Sequence, residues 1–431
     1  MAESLTVHLG EHPIGELTRP QQGGRARRGG QGGRHLVDFH WHADAELART
    51  RLTESFASSP ALPLDRRRVS RFFGGYLPEG NQRQAMADQR QIGKDDLFAF
   101  LREYGGSVAG ALSFRLPRQD SGYAPLSASD LRRALKDAAG KHNQAVRDDS
   151  RSMIPGFQPK VLVAKMNGQW AMPHGNAHST HILKPPRASA PERIIDEFYA
   201  HELARALGLA SFGSEIMRTG GMRYLAIERF DRRVVDGHAR VIHQEDAAQA
   251  MGLDWLDDSA KFQDPRHPRD SGRASAYAIA EVLAALDADP LATWLRQLTF
   301  RVLIGDNDGH AKNVGIIHEP DHDRVSDLYD AVPNLFQEDR IDWTLALAID
   351  GEFDHRRITA QHFVREARSW GMRIHDAERA VSETLSQFLA ALDTVNVPSG
   401  ASPRMPESLR HTVEQLLAGR EIGRFDRRRK G

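Results

Sequence analysis

The chain has 431 residues, with Lys+Arg and Asp+Glu both numbering 58, 27% charged and 40% hydrophobic residues, and no cysteine. That length suits two or three globular domains, and the charge balance excludes a protein that coats nucleic acid by bulk charge. Disulfides and thiolate metal sites are excluded too. No apolar run approaches about eighteen residues and MAESLTVHLG has no signal-type pattern, so the expectation is a soluble, cytoplasmic protein with no membrane association.

Residues 4–17, SLTVHLGEHPIGEL, alternate around a Gly–Glu–His–Pro break and read as two short strands joined by a turn. QQGGRARRGGQGGR (21–34) has the glycines and arginines of a nucleic-acid segment but lacks interleaved aromatics, so it reads as a flexible loop. Helical patterns follow around 71–89 and at 95–106, the second stopped by glycines; AGALSF (109–114) returns to strand, and 116–127 reads as a linker. From near 151, FQPKVLVAKM and GQWAMP predict a hairpin about Asn167–Gly168, and STHILKPP (179–186) another strand. Ser189 stands three before Glu192, with Pro191 in the first turn, which predicts a capping box and a helix running to Gly208. MRYLAIERFD (222–231) reads as a strand ending in charge, so 151–231 suits a small lobe with an antiparallel sheet and one packed helix. Helical periods dominate the reading of 243–305, with Leu291, Trp294, Leu295, Leu298 and Val302 on one face; 357–420 is helix-rich, and GRFDRRRKG is a solvated basic tail.

Two motifs mislead. If Gly309 of DNDG were the sixth position of a calcium loop, positions one and twelve would be Ile304 and Gly315, and neither offers a carboxylate. His318-Glu319-Pro320-Asp321-His322 matches H-E-x-x-H, but a zinc protease needs both histidines on one helical face. Here proline and acids lie between two strand-like runs, which predicts a hairpin tip. Neither G-x-x-x-x-G-K-[ST] nor a convincing G-x-G-x-x-G occurs, so any nucleotide is held by another kind of loop.

GDNDGHAKN (305–313) follows the apolar run LTFRVLI. If VGIIH and RVSDL pair, Asn313 and Asp330 meet at the hairpin's base, with Asp308 in the preceding loop. A carboxylate and an amide oxygen suit magnesium, which takes hard oxygen ligands and keeps several waters. The five-residue step from Asp308 to Asn313 equals that between the catalytic aspartate and metal-binding asparagine of protein kinases, where a second aspartate follows. Asp308 then accepts the proton of a substrate hydroxyl, while His310 and Lys312 neutralise developing phosphate charge. Each residue taken singly reads equally as a capping or solvated group; the constellation reads as catalysis. In the small lobe, Lys184 ends a strand and is either a phosphate ligand or a solvated lysine, with Glu197 a candidate partner. Ile227 to Phe230 lies where a hinge presents backbone to adenine.

The chain resembles the HipA-type serine/threonine kinases, the toxin half of bacterial toxin–antitoxin modules. YLPEGNQR (76–83), DDLFAFLREYGG and GALSF are similar to the family's N-terminal subdomain. IPGFQPKVLV, THILKP, ERFDR (228–232), IHQED (242–246), GDNDGHAKN and LYDAVP (328–333) are similar to its kinase core, in the family's order. The resemblance implies an α+β fold: a bilobal protein-kinase-like core, with a small antiparallel-sheet lobe and a large helical lobe, and an N-terminal β-rich subdomain. The boundaries expected are 1–118 for the subdomain, 119–229 for the small lobe and 230–431 for the large lobe. ATP and Mg2+ are implied as cofactors. The implied partners are a HipB-like DNA-binding antitoxin, DNA indirectly through it, and a protein substrate such as an aminoacyl-tRNA synthetase. An alternative is a catalytically idle co-repressor module. By motif match Asp308 is the proton acceptor and Asn313 and Asp330 the metal ligands. Pro155, Gly156, Phe157, Gln158, Pro159 and Lys160 form the phosphate-side loop, Lys184 contacts phosphate, and Glu228, Arg229 and Phe230 form the hinge. His310, Ala311, Lys312, Asn313, Tyr329 and Asp330 lie beside the nucleotide. Met153 stands where the family often carries a regulatory serine, leaving Ser152 and Ser150 as neighbouring candidates for autophosphorylation or as ordinary loop residues.

Overall fold

The computed structural model describes residues 3–20, 33–43, 51–56, 64–116, 120–141, 151–156, 158–235, 238–336 and 342–425. Most of the 21–34 loop, the last six residues of the basic tail, Phe157 and Ser150 lie outside them.

The N-terminal elements are β1 (Ser4–Leu9), β2 (His12–Thr18), β3 (Asp38–Trp41), α1 (Arg66–Gly74), α2 (Gly80–Arg90), α3 (Leu97–Tyr104) and β4 (Leu112–Arg115). Then come β5 (Gly122–Pro125), α4 (Ala128–Lys141), β6 (Val161–Met166), β7 (Gln169–His174), β8 (His181–Lys184), α5 (Arg193–Ala206), β9 (Ser214–Thr219) and β10 (Met222–Glu228). They are followed by β11 (Arg232–Val235), β12 (His238–Val241), β13 (His243–Asp246), α6 (Ala247–Ala250), α7 (Ala276–Leu283) and α8 (Pro290–Leu303). The remaining elements are β14 (Gly315–His318), β15 (Asp323–Val325), β16 (Thr344–Ile349), β17 (Glu352–Asp354), α9 (Ala360–Ser369), α10 (Ile374–Thr394) and α11 (Met405–Leu417).

The chain divides into two compact units. The first comprises residues 1–185, 212–258 and 317–323. It holds the four-stranded sheet β3-β2-β1-β4, the six-stranded antiparallel sheet β5-β7-β6-β8-β10-β9 and the two-stranded β11-β12. Alternation in β1 buries Leu5 and Val7 against an aromatic core of Phe39, Phe72, Phe73, Tyr76, Phe98, Phe100, Tyr104 and Phe114. Asp65 and Asp96 cap α1 and α3 by accepting from the N–H groups of Arg68 and Ala99. In the larger sheet Val161, Val163, Met172, Leu183 and Tyr224 pack on Leu131, Ala134, Leu135 and Ala138 of α4. Each such large apolar side chain contributes about 1.5–3 kcal/mol.

The expected hairpin forms between β6 and β7, turning on Asn167 (φ 49°) and Gly168 (φ 79°), as a two-residue loop with both φ positive requires. Other expectations need correcting. The stretch taken as a linker contains β5, which pairs β7. The Ser189–Glu192 capping box does not form: α5 starts at Arg193 with Glu192 as N-cap and no side-chain cap bond. Residues 243–305 are less helical than their periodicity predicts, with β13 first and 251–275 irregular.

The second unit, residues 186–211, 259–316 and 324–431, is mainly helical. Trp294, Leu295, Leu298 and Val302 of α8 are buried as expected and Leu291 is half-buried. Trp294 stacks on Trp370 and Phe300 meets Phe388 edge-on. Asp196 of α5 is sealed by the Ser402 N–H and hydroxyl at 2.7 and 2.5 Å. Among the described residues no helix is long and apolar enough to cross a membrane.

Candidate active site

Helix α8 ends at Gly305, whose φ of +69° reverses the chain, and a Cβ there would meet the Phe336 ring at 2.7 Å. The loop that follows is folded around its own polar groups. Asp306 is fully buried: it receives Arg301 Nη1 at 2.5 Å and the N–H of Asp308 at 3.0 Å. Burial pushes its carboxyl up to about 6, against the opposing pull of Arg301. The Asp308 backbone carbonyl accepts from the His310 N–H at 2.8 Å and from Asn313 Nδ2 at 3.0 Å. Its side chain, 59% exposed, points out of the loop.

His310 is buried, edge-on to Phe262 at 4.9 Å, with Nε2 3.9 Å from Asp308 Oδ1. Ala311 to Asn313 form one 3-10 turn, held by the Ala311 N–H on the Lys261 carbonyl. Because Asn313 commits its Nδ2 to Asp308, its amide oxygen is turned away from that carbonyl. The hairpin expected after this turn is present as β14 and β15. At its base the Tyr329 hydroxyl donates to the Lys312 carbonyl at 2.8 Å, and Arg301 Nη2 donates to the carbonyls of Asn313 and Tyr329 at 2.6 and 3.0 Å. Asp330 follows with φ 49°, a left-handed conformation rare outside glycine and costing about 1–3 kcal/mol. The second unit therefore brings Asp308, His310, Ala311, Lys312, Asn313 and Tyr329 into one bonded cluster, with Asp330 next in the chain.

A cavity of about 460 Å³ opens beside Asp308, lined also by Arg193, Phe262, Asn307, Asn334 and Thr344. Arg193 donates to Asn334 Oδ1 within it. Neither residue stands in a motif that the sequence makes conspicuous.

The other expected residues, Glu197 apart, lie in the first unit. Lys160 Nζ donates to the Pro155 carbonyl at 2.8 Å, closing the loop over Gly156 (φ 114°), whose added Cβ would stand 2.6 Å from that nitrogen. The Gln158 carbonyl accepts from Gln82, and Pro159 is buried. Met153 belongs to the aromatic core, and Ser152 beside it is buried and bridged to Ser107. Lys184 is buried at the end of β8, opposite Leu225. Glu197, in the second unit, lies 3.8 Å from His201.

At the hinge segment, Glu228 accepts the Gly213 N–H and Phe230 lies 6.3 Å from Phe212. Arg229 differs from expectation. Its N–H donates to Thr180, its carbonyl accepts from Arg232, and its guanidinium is buried on Asp231, Ser179 and the Val108 carbonyl. Its side chain is thus committed to the fold rather than to a nucleotide. Burial works against ionisation of Asp231, but the guanidiniums of Arg229 and Arg232 hold its carboxyl well below the usual carboxylate range.

The H-E-x-x-H look-alike is a turn, as expected: the Glu319 N–H donates to the His322 carbonyl, and His322 is exposed. His318 instead faces two carboxylates, Glu245 and Asp323, each at 3.0 Å.

Comparison with known proteins gives the family of the chain. Residues 5–115 match the model of the HipA N-terminal domain, and residues 152–392 that of the HipA-like C-terminal domain. The chain is similar to the serine/threonine-protein kinase toxin HipA of Shewanella oneidensis, 28% identical over 371 residues covering 83% of this chain and 81% of that one. It is similar to the protein Y4mE of Sinorhizobium fredii, 32% identical over 295 residues, 65% of this chain and 67% of that one. Among solved structures it resembles a chain of the Shewanella oneidensis complex of HipA, HipB and operator DNA, with TM-score 0.74, 25% identity and 96% of each chain covered. This chain belongs to the HipA-type serine/threonine kinase family.

Proposed function

We propose that this chain is an ATP- and Mg2+-dependent protein kinase that phosphorylates a serine or threonine of a cytoplasmic protein and so restrains growth. The carrying observation is the Asp308 cluster: an exposed carboxylate on a loop fixed from beneath, five residues before an asparagine whose Nδ2 donates to the Asp308 carbonyl and leaves its amide oxygen as an acceptor. Asp308 orients the substrate hydroxyl and accepts its proton, a role worth about 10²–10⁴ in rate. The cavity beside it receives the chain flanking that hydroxyl. The donor set fits magnesium, one amide oxygen from Asn313 and one carboxylate from Asp330, both hard ligands. When bound with ATP, magnesium supplies charge neutralisation at the phosphates. Lys184, Lys160 and the 155–160 loop serve the phosphate side, His310 and Lys312 the transferred group, and Glu228 and Phe230 the adenine, with Arg229 holding that segment in place.

The antitoxin reading is supported by the similar HipA, whose solved complex contains HipB and operator DNA. We assign this chain a HipB-like DNA-binding partner, contact with DNA through it, and a translation component such as an aminoacyl-tRNA synthetase as substrate. Purified wild-type and Asp308→Asn proteins, incubated with labelled ATP, Mg2+ and cell extract, test the reading. Wild type should label a protein band and Asp308→Asn should lose at least about 10²-fold. Equal labelling would remove Asp308 from the chemistry. If neither protein bound ATP in calorimetry, the idle co-repressor reading would replace the kinase.

A further inference from the structure

Arg301 lies inside LTFRVLIG, a run that otherwise buries apolar side chains, and is itself 1% exposed. A buried guanidinium is stable only where its donors are matched. Here the two terminal nitrogens are matched by three points of the proposed catalytic apparatus, while Nε has no partner among the described residues. Nη1 meets Asp306, the carboxylate that also holds the Asp308 N–H. Nη2 is shared between the carbonyls of Asn313 and Tyr329, the latter next to Asp330. One planar group thus spans the loop carrying the proton acceptor, the turn carrying one metal ligand and the irregular segment after β15 carrying the other.

Gly309 gives an independent sign of the same device. No left-handed φ requires glycine there, yet a Cβ would stand 2.7 Å from Arg301 Cδ and 3.3 Å from Asp306 Oδ2. The loop is glycine at that point because the arginine passes directly beneath it.

We infer that Arg301 is a positioning residue, which with Asp306 sets the spacing between Asp308 and the metal ligands Asn313 and Asp330 and so governs the magnesium requirement of transfer. The inference rests on the kinase reading of the Asp308 cluster. Lysine cannot replace the fork, because a single ammonium lacks the planar pair of donors that reaches Asp306 on one side and two carbonyls on the other.

The test uses the full chain with Arg301→Lys, Asp306→Asn and Gly309→Ala. Activity is measured against Mg2+ concentration, alongside calorimetric ATP binding with and without Mg2+, and far-UV circular dichroism as a check of folding. A displacement of about 1 Å costs roughly 10²-fold in rate, so kcat should fall by about 10–100-fold. Half-saturating Mg2+ should rise by at least about five-fold while binding of metal-free ATP stays within about two-fold, the signature of misplaced metal ligands rather than a damaged pocket. Gly309→Ala keeps both charges and presses the loop and the Arg301–Asp306 pair apart from their present spacing, so it decides the matter if Arg301→Lys does not fold. Folded variants with unchanged kcat and unchanged Mg2+ dependence would overturn the inference. So would a parallel loss of metal-free ATP binding, which marks general collapse. Asp308→Asn separates the two levels: if it stays active the reading of Asp308 fails, whereas if it is inactive and Arg301→Lys is not impaired, only the positioning role fails.

Discussion

His318 should be a buried imidazolium whose loss of charge weakens the first unit as pH rises. Its Nε2 is 3.0 Å from Glu245 Oε1 and its Nδ1 3.0 Å from Asp323 Oδ1, so both nitrogens act as donors. Glu245 is itself fixed by the Thr53 hydroxyl at 2.6 Å and the Glu54 N–H at 2.7 Å, and Arg51 approaches Asp323 at 3.4 Å. Burial opposes the charge, but the two carboxylates raise the histidine from 6.5 to about 9. At about 1.4 kcal/mol per pKa unit, that rise corresponds to about 3 kcal/mol. Below pH 6.5 the ring is protonated whether folded or unfolded, and the contribution is complete. Between 6.5 and 9 only the folded chain holds the proton, so unfolding releases it and stability falls as pH rises. His243, stacked on His318 at 5.4 Å, is held neutral: burial and then the neighbouring charge lower it to about 3. It acts in the opposite sense and only below pH 6.5, outside this window. Histidine-selective 15N NMR should find the His318 ring doubly protonated at pH 8. Urea unfolding should show wild type losing about 3 kcal/mol more than His318→Gln between pH 6.5 and 9. A neutral ring at pH 8, or parallel unfolding curves, would refute the clamp.

Asp231→Asn leaves Arg229 and Arg232 buried with one carboxylate fewer. It should destabilise by about 3–5 kcal/mol, read as a lower urea midpoint for the first unit; a loss under about 1 kcal/mol would show that the backbone carbonyls suffice. Incubation with MgATP followed by peptide mass spectrometry should find Ser152 unmodified, because its side chain is buried beside the Ser107 bridge. Stoichiometric phosphate there would mean that the segment leaves the N-terminal core.

Local chemistry is the part of the fold that the sequence displays. Asn167–Gly168 can turn a hairpin because both positions tolerate positive φ, and the α8 stripe can only bury one way. Where a competing contact, near or distant in the chain, decides the outcome, the sequence is silent or misleading. The Ser189 motif has capping spacing, yet the chain forms an Arg187–Ala190 bridge instead and the helix starts later. Strand β5 is four residues long with proline and glycine at its ends, so only its pairing with β7 identifies it. At the candidate site, Asp308, Asn313 and Asp330 are visible through spacing. Arg193 and Asn334 beside the cavity are not, since they lie 141 positions apart.

The two arginines show what such a motif does and does not encode. In ERFDR the charge density next to a strand end suggests a nucleotide edge, but Arg229 and Arg232 turn inward and both donate to the Val108 carbonyl, while Asp231 receives the Gly110 N–H. The motif fastens the hinge segment to the 108–110 loop of the N-terminal region. In LTFRVLIG the reverse holds: the arginine sits in an apolar run with no charged neighbour to advertise it, and its guanidinium reaches Asp306 in the loop of Asp308 and the backbone carbonyls of Asn313 and Tyr329. A charge embedded among buried residues must find partners of its own, because an unmatched buried guanidinium is costly. For that reason a buried arginine in the last turn of a core helix, five positions before Asp306, is a stronger pointer to the architecture of this site than the more conspicuous charges of ERFDR.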